Sequence, residues 1–264
     1  MSVLLRIAYD GTEFRGYAPQ PGQRTVQGVL EEHLRDLFFG ATIDVRGASR
    51  TDAGVHAHGQ LVAFDKTLPI PPEGILKGLN GRLPADVAVL AAWEEARPDD
   101  VAVEPRFENG GKHYRYQLVR DSATDPFRDR FTWRLDQDLD VDRMRDAARD
   151  FIGTHDFLAF RARDCQATNT MRTMTRVDVR VCEVSGLHGD TVRSFVIDVE
   201  GQAFLKRMVR VMAGTLVEIG RGHLEPSAVA RALHSGVRSD AGATAPARGL
   251  SLIEVKWPGS RTRS

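Results

Sequence analysis

The chain has 264 residues, 42% hydrophobic and 27% charged, with 36 Lys+Arg against 36 Asp+Glu. Such a length exceeds the ~100 to 200 residues of a usual domain, so it allows one large or two modest domains with real cores and excludes global disorder. The early apolar stretch Val3 to Ala8 is broken by Arg6, and no later run nears the ~20 apolar residues of a membrane span, so the sequence predicts a cytoplasmic protein with no membrane partner. Two cysteines, Cys165 and Cys182, exclude a disulfide framework and a zinc-finger cage.

Of the 36 cations only 5 are lysines, leaving 31 arginines. The planar guanidinium suits phosphates, base edges and buried carboxylates, which makes nucleic-acid contact a live hypothesis. A GC-rich coding sequence accounts for the total equally well, so position decides. Acids dominate from Asp129 to Asp150, whereas Arg161 to Arg180 carries five arginines against Asp164 and Asp178. This segregation suits a neutral protein with one anion-binding face.

In chain order, a strand at Leu4 to Tyr9 meets a turn-rich stretch. Val26, Val29, Leu30, Leu34, Leu37 and Phe38 then recur at helical spacing until Gly40. Strands are predicted at Ile43 to Ala48 and Gln60 to Phe64, a helix after Pro71-Pro72, and a strand at Val87 to Trp93. Beyond the Pro98-Asp99-Asp100 and Asn109-Gly110-Gly111 breakers the order returns. His113 to Val119 reads as a strand, and Val141, Met144, Ala148, Phe151 and Ile152 as a helix. Arg176 to Val184 and Val192 to Glu200 are strands joined across Gly186 to Gly189. A helix from Leu205 through Met208, Val209, Met212 and Leu216 to Ile219 and a strand at Leu250 to Val255 complete the chain. The fold class is therefore α+β: two βαββαβ units of the ferredoxin-like kind, which RNA-recognition modules share, with mainly antiparallel sheets. The expected domains are 1–105 and 106–257, with a basic tail at 258–264.

Three clusters could carry chemistry. In Ala48 to Gln60, Asp52 with Gly54 close behind suits a tight turn, yet Arg50, His56 and His58 crowd the same stretch. A metal site of Asp52, His56 and His58 is one reading; no fourth ligand stands elsewhere. In Phe204 to Arg210, Lys206 and Arg207 would oppose the macrodipole of a helix's first turn, which calls for an anion nearby, and Arg210 one turn on could reach a carboxylate such as Asp52 and keep it ionised. In His113 to Gln117, strand alternation puts Tyr114 and Tyr116 on one face; Tyr116 reads as core, while an aromatic beside arginines can stack a base.

At these residues the sequence resembles the bacterial tRNA pseudouridine synthase A family along its whole length. Tyr9-Asp-Gly-Thr-Glu-Phe-Arg-Gly16 is similar to its opening motif, and Arg24-Thr-Val-Gln-Gly28 to the lead into its first helix. Arg50-Thr-Asp-Ala-Gly-Val-His-Ala57 is similar to its catalytic loop, a highly specific match. Tyr114-Arg-Tyr116, Phe204 to Arg210 and Gly249-Leu-Ser-Leu252 follow in the family's order. The resemblance implies a pseudouridine synthase fold with a cleft between the halves, Asp52 as nucleophile, Arg210 as its partner and Tyr114 beside the target base. It also makes Arg50, Lys206, Arg207, His56 and Leu250 candidate substrate-binding residues. The implied activity is conversion of uridine to pseudouridine at tRNA positions 38, 39 and 40, in the anticodon stem-loop, by a homodimer without cofactor or metal. Tyr17-Ala18, Ser49 and Val211 depart from the usual Trp-Gln, Gly and Asn of the family.

The chemistry suits these residues. The isomerisation breaks a C–N glycosidic bond and joins C5 of the same base to C1′, with no net redox change, so one carboxylate can serve as nucleophile or base. The base must be flipped out of its stack to be reached. A non-catalytic RNA-binding protein and a metal-dependent hydrolase are the competing readings.

Overall fold

The structure, a computed structural model, describes residues 1–66, 69–97, 101–186 and 189–258. The Pro98-Asp99-Asp100 breaker, the centre of the Gly186 to Gly189 connection and the basic tail from Ser260 lie outside them. The chain forms two compact units: Met1–Gly110 joined by the chain from Leu252, and Gly111–Ser251. The fold is mixed α+β with mostly antiparallel strand pairing.

The first unit runs β1 (Ser2–Tyr9), α1 (Val26–Leu37), β2 (Arg46–Gly47), β3 (His56–Asp65), α2 (Pro72–Asn80), β4 (Val87–Glu95) and a short α3 (Pro105–Glu108). β1 lies between β3 and β4, antiparallel to both: Leu4 faces Ala63 on one side and Trp93 on the other. Its apolar residues Leu4, Leu5 and Ile7 are fully buried together with Phe64, Ile75 and Leu79. α1 begins where the Thr25 hydroxyl accepts the Gly28 N–H at 3.3 Å, and it buries Val26, Leu30 and Leu34 at four-residue spacing. α2 takes Pro72 into its first turn, where the missing N–H costs nothing.

Two strands differ from their sequence expectation. The strand predicted over Ile43 to Ala48 shrinks to Arg46–Gly47, paired only with Val62 and Ala63; the Ile43 and Val45 alternation reflects burial in a non-ladder segment. β3 starts at His56, four residues before the predicted Gln60, so both histidines already belong to the strand.

The second unit runs β5 (Lys112–Arg120), β6 (Trp133–Leu135), α4 (Val141–Arg149), β7 (Gly153–Asp156), β8 (Met171–Ser185), β9 (Thr191–Gly201), α5 (Met208–Gly220) and α6 (Ala228–Ser235). β5, β9, β8 and β7 follow one another antiparallel, with β6 parallel to β5. β10 (Leu250–Val255) passes from this unit to the first at Leu252, a stretch the sequence reading kept with the second half, and it lies next to β3. Two helices are shorter than predicted. α4 stops at Arg149; Phe151 is buried beyond it, stacked on Phe157 and edge-on to Phe160, so its apolarity belongs to an aromatic cluster. α5 starts at Met208 because Arg207 holds a left-handed φ of 60°. Strands β6 and β7 and helix α6 escaped prediction, the strands being too short to show a period.

Candidate active site

In the first unit, Asp52 sits half-buried in the turn between β2 and β3. The Tyr9 to Tyr17 segment grips that turn on both flanks. Tyr17 N–H donates to the Thr51 carbonyl at 3.1 Å, and Gly54 N–H to the Phe14 carbonyl at 3.3 Å. The turn closes on itself through the Val55 N–H and the Asp52 carbonyl, 3.1 Å apart. Gly16 holds φ 105°, a conformation that favours glycine, and a β-carbon there would lie 3.0 Å from the Thr51 carbonyl oxygen. On the incoming side, the fully buried Gln60 amide donates to the Ser49 carbonyl at 2.6 Å and accepts the Ser49 N–H at 3.2 Å. Ser49, one of the departures, thus contributes its backbone to the clip.

The motif Arg24 to Gly28 braces the same segment. The Arg24 guanidinium lies 4.0 Å over the Phe14 ring and donates twice to Asp86, at 2.8 and 3.0 Å. Tyr17, where the family usually has Trp, is buried against Gly47 rather than presented at the surface. Burial pushes its phenol pKa up, and its hydroxyl finds no hydrogen-bond partner among the described residues.

His56 is buried, and its Nδ1 accepts the Gly11 N–H at 3.0 Å with Asp10 Oδ1 3.2 Å away. Its place is therefore behind the opening motif. His58, two residues further along β3, is exposed where His56 is buried. Among the described residues no three His, Cys, Asp or Glu side chains gather as a metal would require. Arg50 is exposed and forms no hydrogen bond or ion pair with the described residues.

In the second unit, β5 buries Lys112, Tyr114, Tyr116 and Leu118 on one face. The Tyr114 ring stands edge-on to Phe204, centroids 5.0 Å apart, so the tyrosine strand and the Phe204 to Arg210 segment meet. Tyr116 donates to the Pro246 carbonyl at 2.8 Å, the core role expected of it. Burial pushes its phenol up against the pull of Arg210 and Arg248. Arg210 is half-buried in the first turn of α5, its Nε donating to the Ala245 carbonyl at 2.8 Å while the Ala245 N–H returns a bond to the Arg210 carbonyl at 3.1 Å. That double contact aims the guanidinium. Val211 is fully buried, and Leu250 is a buried core residue opening β10.

Lys206 and Arg207 precede the helix instead of occupying its first turn, so the predicted opposition to the macrodipole does not arise. The anion expected near them exists: Asp164 accepts from Lys206 Nζ at 2.6 Å, and Ala162 N–H donates to the Lys206 carbonyl at 3.0 Å. These bonds bring in a loop that sequence reasoning missed as part of the site, residues 161–169, although its arginine excess was the signal. Arg163 there crowds Arg238, and burial together with that like charge lowers the Arg238 pKa. The side chains of Arg163 and Arg207 are both exposed with no hydrogen bond or ion pair to described residues. Asp164 thus lies near Lys206 and Arg207, and Arg163 near Arg238, so cations outnumber the acid around this loop, a balance that suits phosphates.

A second missed group lies on the opposite face of this sheet. Asp198 on β9 is fully buried and accepts from His113 at 2.7 Å, from Arg115 Nε at 2.8 Å and from Arg180. Burial alone would push its carboxyl up, but these bonds outweigh it and hold it well below the usual carboxylate range.

The family model described as tRNA pseudouridine synthase matches residues 6–107 and 147–258. A tRNA pseudouridine synthase A of Myxococcus xanthus is 46% identical over 261 residues, covering 98% of this chain and 94% of its own. Those of Geobacter sp. (strain M21) and Pelobacter propionicus are each 42% identical, over 258 and 256 residues, covering 97% of this chain and 99% of their own. With a model spanning both halves and near full-length relatives at this identity, the chain belongs to the tRNA pseudouridine synthase family.

Proposed function

We propose that this protein isomerises uridine to pseudouridine in the anticodon stem-loop of tRNA, at positions 38, 39 and 40, acting as a cytoplasmic homodimer without cofactor or metal. The observation that carries the reading is Asp52 on a turn pinned at both flanks, within the motif order of a family to which the chain belongs.

In this reading each half is a ferredoxin-like unit, and the β4-β1-β3 order with β2 on β3 supports that for the first. Asp52 is the nucleophile, and Arg210 its partner, keeping the carboxylate ionised. Tyr114 packs beside the flipped base, an aromatic platform stiffened by Phe204. Arg50, Lys206 and Arg207 hold the RNA, His56 supports the turn from behind, and Leu250 lines the pocket. The N1–C1′ bond breaks, the uracil turns, and C5 bonds to C1′; the C5 hydrogen leaves as a proton and N1 gains one. No external group or electron is needed.

The test is to incubate tRNA transcripts retaining uridine at only one of positions 38, 39 and 40 and to map pseudouridine chemically. Modification at each of the three supports the assignment, and modification only outside the anticodon stem-loop overturns it. Binding of every transcript without product would instead mark a non-catalytic RNA-binding protein.

A further inference from the structure

We propose that Tyr9 is a positioning residue for Asp52, acting through the hydroxyl of Thr51; the proposal rests on the synthase reading. Tyr9 Oη and Thr51 Oγ1 lie 2.8 Å apart, and both residues are buried, at 4% and 7% exposure. They are 42 residues apart in sequence, and Thr51 immediately precedes Asp52.

Backbone bonds from the Tyr17 and Gly54 N–H groups join this turn to the Tyr9–Tyr17 segment, and the Val55 N–H closes it on the Asp52 carbonyl. Those bonds set where the turn runs. The Tyr9 bond acts on a side chain, fixing the Thr51 rotamer and with it the peptide plane that leads into Asp52. Tyr9 is itself fixed. It closes β1, paired with Ala57 of β3 and Val87 of β4, the extra residue of the β1–β3 bulge lying on β3 between Ala57 and Gln60, and the Phe14 ring braces it edge-on at 6.5 Å.

A ring buried for packing alone is better served by phenylalanine, because a buried hydroxyl is unfavourable unless bonded. Here the bond goes to the neighbour of the nucleophile. Carboxylate placement matters because misplacing a reacting group by ~1 Å can slow a reaction by ~100-fold.

The experiment measures steady-state label release from tRNA carrying tritium at uridine C5, using the full-length enzyme and the variants Tyr9→Phe, Thr51→Val and both together. The expected result is a kcat about tenfold lower in each single variant, with KM and tRNA affinity within about twofold of wild type. The double variant falls no further than the worse single one, since both remove one bond. A Tyr9→Phe or Thr51→Val enzyme that melts lower yet keeps wild-type kcat, or losses that add in the double variant, would overturn the proposal. Wild type and Asp52→Ala run alongside. Label release by Asp52→Ala, or none by wild type, would show instead that the synthase reading itself has failed, and the positioning role with it.

Discussion

A β-carbon on Gly11 would fall 2.0 Å from the carbonyl oxygen of Val55, three residues beyond Asp52. The obstacle is backbone, so no rotamer change relieves it. Gly11 also donates its N–H to His56, which ties the opening motif to the strand that leaves the turn. We predict that Gly11→Ala costs about 2 to 3 kcal/mol of stability and displaces the Asp52 turn, so that activity falls further than stability alone explains. Denaturant midpoints and label release on the same preparation check this; an active, equally stable Gly11→Ala enzyme would contradict it.

Asp198 gives the second unit a pH signature. Its folded pKa lies below the unfolded value of about 3.9, so its stabilisation is present above that value and is lost as pH falls from there through the folded pKa. Asp198→Asn leaves His113, Arg115 and Arg180 around a neutral amide. It should cost about 2 to 4 kcal/mol at pH 7, with the gap to wild type closing as both are acidified below about pH 4. Urea midpoints at pH 7 and near pH 3 measure it, and a gap that widens on acidification would refute the assignment.

Arg207 separates stability from binding. Its left-handed backbone costs a non-glycine residue about 1 kcal/mol, and its exposed side chain makes no ion pair with described residues. Arg207→Gly should therefore hold or raise stability by about 0.5 kcal/mol while weakening tRNA binding. Removing the charges of both Arg163 and Arg207 should lower the slope of log affinity against log salt by about 2. Filter binding over a salt series reads this directly, and an unchanged slope would place the RNA elsewhere.

The histidines of the catalytic turn bear on metal dependence. His56 uses Nδ1 for the Gly11 N–H, and His58, two residues along β3, is exposed; among the described residues no third ligand gathers with them. Protein treated with a chelator should keep its turnover within about twofold, and a loss restored by zinc or manganese would revive the hydrolase reading.

What the sequence showed and what it hid follow physical lines. Long periodic segments were legible: Val26 to Leu34 and Met208 to Ile219 bury their stripes as expected. The Asp52, Tyr114 and Arg210 segments could be picked out because reactive side chains are dense there. Contacts across long separations were not legible. Nothing local tells that Tyr9 meets Thr51, that Asp164 meets Lys206, or that His113 and two arginines converge on Asp198. Helix ends failed where one backbone angle decided, as at Arg207, and where burial imitated periodicity, as at Phe151.

If Asp52 carries a uridine isomerisation, its removal must stop the bond change at C5. Transcribed tRNA with tritium at uridine C5 must lose label when C5 bonds to C1′, so release reports the bond change itself. Wild type should release label steadily, and Asp52→Ala at a rate at least about 1,000-fold lower with tRNA still bound. Release by Asp52→Ala at a rate near wild type would contradict that role.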